Sequence, residues 1–382
     1  MRWCLSSREE DMKRAIWIYA AFAVALLGLA VGIPCLRAGE TGAGMSYQVL
    51  APIRHGNLTI FPVVAARTHD TSQFLTLDEG LRSGEVIVTE SGNVSPLMRP
   101  RHPHSVWQEN RRNDGAQVNS LVLVNNSKKP LLLLAGEIVT GGKQDRIIGK
   151  DRLVPADSDP IDLGVFCVEP GRWVGSSAKF GSAGAIGGIV QPSVRSKAMA
   201  AQNQRKVWDE VGKARAGAAE AVTVQSQSEA VEVEQTSSYA RVMQNGAVLG
   251  KIDSVAAPVE HDYQSVISQL RDKNAVGVVV AVNGEVIWAD VFASTKLLEK
   301  YWPKLVRSYA AESVVQQVKS GSASVKAAQE FLDRLQGRRE VVENEPGLYR
   351  HTEVSGEGFK VFELTSLLPN TGFDLHVAKM ME

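Results

Sequence analysis

Between Tyr47 and Val168 short apolar runs follow one another, YQVLAPI, LTIFPVV, EVIVTE, SLVLV, PLLLLAG, RIIG and DLGVFCVE, most of them bounded by Gly, Pro, Asn or Asp. Runs of this length, punctuated by turn formers, are strand signals and leave little room for helix. The first half of the chain must therefore bury its apolar groups by pairing strands. TLDEGLRSG is the one place there that suits a short helical turn. Val122 to Leu134 reads as a hairpin around NNSKKP, and Pro62, which cannot donate to a ladder, marks its run as an edge strand or a bulge.

The period then changes. Gly175 to Gly188 is too glycine-rich for regular structure and reads as a loop, and Arg195 to Ala221 reads as a largely polar helix with Trp208 and Val211 one step apart. QSQSEAVEVEQTSS reads as a polar connection. Tyr263, Val266, Ile267 and Leu270 fall on one side of a helix for which Asp262 is the expected N-cap. Asn283-Gly284 between Val276–Val282 and Glu285–Phe292 predicts a type I′ hairpin, because both centres of that turn need positive φ. A helix is expected after Ser294 through Leu297, Leu298, Tyr301, Trp302, Leu305, Val306 and Tyr309, kinked or restarted at Pro303. Another runs from the Ser324 cap through Val325, Ala328, Leu332 and Leu335 to Gly337, and the strands YRHTEV, FKVFEL and DLHVAK close the chain. Strands first, helices clustered later and closing strands last predict an α+β fold, with residues 47–382 as a single domain.

Residues 1–46 are set apart from this. From Ala15 to Leu36 the chain is uncharged and Lys13-Arg14 precede it, the layout of a signal peptide or a membrane anchor over 1–38, with 39–46 as a Gly-rich linker. Met12 opens a more ordinary signal than Met1, so the true start is expected at Met12. This predicts an extracytoplasmic protein, secreted or tethered, that meets the membrane only through this segment. Cys4 and Cys35 lie in it, which leaves Cys167 alone in the exported part and excludes an internal disulfide there. Lys and Arg together number 42 and so do Asp and Glu. With that balance and scattered aromatics, nucleic acid is not an expected partner.

The polar constellations concentrate between Leu131 and Trp173. Gly141 and Gly142 before Lys143 invite comparison with a phosphate loop, but Gln144 stands where the magnesium-binding hydroxyl belongs. What remains is a small anion site built from backbone amides freed at Gly141 and Gly142, with Lys143 and Arg146 alongside; the alternative is a glycine turn with solvated charges. In CVEPGRW, Arg172 beside Trp173 can stack and still offer a fork to a carboxylate or phosphate, or can pair internally with Glu169. Cys167, between Phe166 and Val168, suits a buried small hydrophobe better than a nucleophile. His102 and His104 share a side of an extended segment, yet no acidic or thiol cluster accompanies them, and neither a metal nor a cofactor is assigned.

The strings GGKQDRIIGKDRLVP and VFCVEPGRW, followed by QRKVWDEV, GVVVAVNGEVIWADVF and YWPKLVRSYAAE, resemble the ADP-ribosylglycohydrolase- and rhodanese-phosphatase-associated protein domain family over about Tyr47 to Glu382. The resemblance implies company with enzymes of NAD-derived nucleotide metabolism, and so a phosphate- or ADP-ribose-like ligand. Gly141, Gly142, Lys143, Gln144, Asp145, Arg146, Glu169, Arg172 and Trp173 are the expected binding residues. Two alternatives stay open: a hydrolase using Glu169, Glu137 or Asp145 as acid or base, with Cys167 as a further candidate, and a structural envelope or interaction module whose charges pair internally.

Overall fold

The computed structural model describes residues 46–91, 116–184 and 187–382, which fall within one compact unit running from Met45 to Glu382. The pair His102 and His104 and the uncharged segment before Leu36 lie outside the described residues, and among the described residues no helix is long and apolar enough to cross a membrane.

The architecture is α+β. A nine-stranded antiparallel sheet runs in the order Tyr47–Val49, Leu58–Ala65, Asn274–Val282, Glu285–Phe292, Asp374–Met381, Phe359–Ser366, Tyr349–Gly356 and Arg338–Glu345, with Ile53–His55 also paired to Leu58–Ala65. The first half of the chain thus supplies one end of a sheet completed by the second half. Asn274–Val282 is buried on both faces: Val278, Val280 and Val282 enter the main core under the helices, while Val279 and Ala281 enter a second core with Phe331 and Leu332 of the helix Val325–Asp333. That is the alternation expected of a strand covered on both sides. The hairpin turn is as predicted, with Asn283 at φ 55° and Gly284 at φ 81°.

The remaining strands form a six-stranded sheet, in which Arg146–Ile148 and Ser120–Asn125 flank Ile161–Cys167, and a three-stranded sheet in which Leu131–Leu133 lies between Arg152–Val154 and Leu75–Thr76. The expected hairpin over Val122 to Leu134 therefore does not form. Leu131–Leu133 pairs with Arg152–Val154 instead, and the chain changes sheets at Asn125, whose side chain accepts from Ser127 N at 3.0 Å and donates to Pro155 O at 2.8 Å. Pro62 sits inside the sheet, not at its edge. Its partners on one side are interrupted between Val49 and Ile53, so the missing N–H falls in a gap, where Leu50 N donates to Pro62 O at 2.9 Å.

Four helical expectations are also corrected. The helix expected from Asp262 begins at Gly246, capped by Asn245, and runs unbroken to Ser268 through Pro258 because Val248, Ile252, Ala256, Val259 and Tyr263 are buried. QSQSEAVEVEQTSS contains the helix Gln227–Gln235, whose first turn Ser226 caps. The polar helix is divided: Pro192–Ser196 passes into a π-helical turn, Lys197–Ala201, and Gln202 at φ 46° separates this from Gln204–Thr223. Val325–Asp333 stops before Leu335, which is exposed. Thr295–Val315 forms from its Ser294 cap as expected and continues through Pro303.

Candidate functional site

The Gly141 to Arg146 segment is a turn between the strands Ile138–Thr140 and Arg146–Ile148. Gly142 has φ 50°, and a Cβ there would lie 2.2 Å from the Phe180 ring and 2.7 Å from Glu90 Oε1, so only glycine fits. The amides of the turn are already engaged by this chain. Gly141 N donates to Asp145 Oδ1 (3.1 Å), Gly142 N to Ser177 Oγ (3.1 Å), Lys143 N to Glu90 Oε1 (2.8 Å) and Asp145 N to Glu169 Oε2 (3.0 Å). Gly141 and Gly142 thus offer no amide to a ligand, and the sequence expectation of a backbone cradle is not what these bonds describe.

Glu169 and Arg172 come back to the turn across Pro170-Gly171. The Arg172 guanidinium pairs with Glu169 Oε2 at 2.6 Å and donates to Gly142 O at 3.1 Å and Val174 O at 3.0 Å. Asp145 Oδ2 accepts from Ser238 Oγ at 3.1 Å, at the start of the helix Tyr239–Gln244. The Glu169 bond and charge hold the Arg172 guanidinium above its usual value, whereas burial and then the Glu169 charge push the Asp145 carboxyl up. Gln144 Nε2 donates to Glu169 O at 3.1 Å. These bonds close the wall and leave Gln144 Oε1 without a partner among the described residues.

On the outer side of that wall lies a cleft of about 550 Å³ lined by Glu169, Arg172, Trp173, Ser237, Arg241 and Asn245, among others. Trp173 is 42% exposed there. Two cations approach its ring, Lys143 Nζ at 5.1 Å from the centroid and Arg146 Cζ at 5.9 Å. Arg241 is exposed and has no ion-pair partner among the described residues. Of the expected binding residues, the structure therefore brings Glu169, Arg172 and Trp173 to the cleft, places Lys143 and Arg146 behind the indole, and leaves Gly141, Gly142, Gln144 and Asp145 in the supporting wall. Arg241, Ser237 and Asn245 were not singled out from sequence; the stretch SSYARVMQN that carries them holds no recognisable motif.

The other acid, base and nucleophile candidates are enclosed. Glu137 is 1% exposed, bonded to Lys304 and accepting from Leu134 N at 2.7 Å; burial pushes its carboxyl up. Lys304 also pairs with Asp78 at 2.7 Å. Cys167 is fully buried and burial raises its thiol, so it is held as the thiol, as its apolar neighbours suggest. Among the described residues no His, Cys, Asp and Glu group has the makings of a metal site.

One buried network escaped the sequence reading. Arg195 forks onto Asp290 at 2.9 and 3.2 Å, Asp290 also accepts from Tyr309 and meets His376 Nε2 at 3.0 Å, and His376 Nδ1 meets Asp151. Burial opposes the charge on His376, but Asp151 and Asp290 more than offset it and raise the imidazole to about 9. The carboxylates and cations balance one another, with no opening to solvent. The clue was present: Asp290 interrupts the apolar run 286–292 and His376 stands between Leu375 and Val377.

The profile of the ARG and Rhodanese-Phosphatase-superfamily-associated Protein domain matches residues 46–378, nearly all of the described fold. The chain belongs to this family. Comparison with curated proteins and with solved structures gives no match. That description names no activity, so the turn, the wall and the cleft above are the basis for any assignment of function.

Proposed function

We propose that the cleft beside Trp173 binds a small anionic ligand of the phosphate or ADP-ribose kind. The observation that carries this is the half-open indole of Trp173 on a cleft of about 550 Å³, with Arg241, which has no ion-pair partner among the described residues, on the same lining. That volume lies in the range usual for small-molecule sites. An aromatic ring of the ligand stacks on the indole, and Arg241 receives the acidic group. Asp145, Glu169 and Arg172 hold the wall in place; their pairing internally accounts for the charge density of the motif without requiring catalysis. The uncharged run from Ala15 to Leu36 supports an extracytoplasmic address, which N-terminal sequencing of the mature protein tests directly.

Isothermal titration of the full chain with ADP-ribose, ADP and inorganic phosphate tests the binding. Saturable heat is expected with at least one of the nucleotides, weakened about tenfold or more by Trp173→Ala or Arg241→Ala. No heat with any of them, or equal affinity in both variants, overturns the reading.

A further inference from the structure

Behind the Trp173 ring the molecule leaves an unusual debt. Arg146 is 0% exposed, its Nε donates to Val118 O at 2.8 Å, and both of its terminal amino groups have no partner among the described residues. A buried guanidinium ordinarily has its donors taken by a carboxylate, carbonyls or an ordered species. The unsatisfied atoms cluster around it. Arg146 is the cross-strand partner of Cys167, and Trp208, whose indole Nε1 has no well-formed hydrogen bond among the described residues, is directed at the Cys167 sulfur. Lys143 reaches the same Trp173 ring as Arg146. Glu90 is the carboxylate on this side; it accepts from Lys143 N at 2.8 Å, and its other oxygen has no partner among the described residues.

The charges sort to the two sides of the turn. Asp145 and Glu169 share Arg172 on the cleft wall, an excess of one negative charge, whereas the Lys143 and Arg146 side chains gather at the indole with Glu90, which holds the Lys143 amide and whose charge bears on Arg146, an excess of one positive charge. Arg146 and Ile148 point to the side opposite Ile147, as alternation along a strand requires, which keeps Arg146 from completing the Arg172 network.

We infer that Arg146, Lys143 and Trp208 form an oxyanion subsite roofed by Trp173, which takes a compact anion such as phosphate. The guanidinium supplies two parallel donors, the Trp208 indole N–H, turned from the Cys167 sulfur to the anion, a third, and Lys143 the remaining charge. One monoanion satisfies the orphaned donors and cancels the surplus charge together. Trp173 lies over Arg146 and also lines the cleft, so the route in passes its ring. Only that route rests on the cleft being a ligand site; the donors do not.

The test is the thermal stability of the full chain in rising inorganic phosphate at constant ionic strength, with chloride as the control, because an anion that binds only the folded state raises the melting temperature. A phosphate-specific rise is expected, with apparent affinity about tenfold or more weaker in Arg146→Met and several-fold weaker in Trp208→Phe, which keeps the ring and loses the N–H. Should Arg146→Met not fold, Trp208→Phe decides. Arg241→Ala separates this proposal from the cleft reading: it weakens nucleotide binding about tenfold or more and leaves the phosphate response. No rise beyond chloride, a rise unchanged in Trp208→Phe, or a response lost in Arg241→Ala overturns the subsite.

Discussion

Arg172 pairs with Glu169 three residues before it at 2.6 Å, while the same guanidinium donates to Gly142 O at 3.1 Å, so one side chain fastens a strand end to a glycine turn. Glu169 in turn holds the Asp145 amide. The charged block that attracts notice in the sequence is to this extent a clasp.

Arg172→Ala is expected to destabilise the fold by about 2 kcal/mol, because it strands the buried Glu169 carboxylate and removes a donor from each of Gly141 O, Gly142 O and Val174 O. Arg172→Lys recovers part of this at most, since an ammonium cannot fork between a carboxylate and a carbonyl. Urea denaturation of both variants measures the difference.

Gly142→Ala is expected to cost about 2 to 4 kcal/mol, combining a left-handed φ with overlap against Phe180 and Glu90. The midpoint of chemical denaturation gives the value, and an unchanged midpoint contradicts the turn geometry.

The Arg195–Asp290–His376–Asp151 network predicts a pH dependence. His376 in the folded state sits at about 9, above its unfolded value near 6.5. Its contribution is therefore full below pH 6.5 and is lost as pH rises through 9, amounting to about 3 kcal/mol over the window. Lys379 acts with the opposite sign: burial and Arg334 lower it to about 8, so its penalty is present below pH 8 and relieved between there and its unfolded value. Falling stability between pH 6.5 and 8 is thus the His376 signature, and His376→Gln should flatten it in denaturation curves taken across that interval.

Cys167 should resist a thiol reagent in the native protein and react fully once the chain is unfolded, because the sulfur is buried and its thiol form favoured. Rapid native labelling contradicts its placement.

What the sequence disclosed follows the range of the interactions involved. The Asn283-Gly284 hairpin and the Ser294-capped helix are written in neighbouring residues, and both form. Leu131–Leu133 was assigned a hairpin partner nearby, but the turn at Asn125 sends it to Arg152–Val154, a choice made by tertiary packing. The helix Gly246–Ser268 overrides the weak local propensity of Gly246, Gly250 and Pro258 through burial of its apolar stripe. At the site, the cluster around Lys143, Glu169 and Trp173 was visible as composition. Which members face the cleft was not, since adjacent residues on a strand face opposite ways and Arg241 arrives from a distant helix.

The most direct test of the binding account is a crystal structure of the full chain grown with ADP-ribose. The account places a ring of the ligand against Trp173 with its phosphates toward Arg241. A cleft left empty at saturating ligand, or ligand bound away from Trp173, contradicts it.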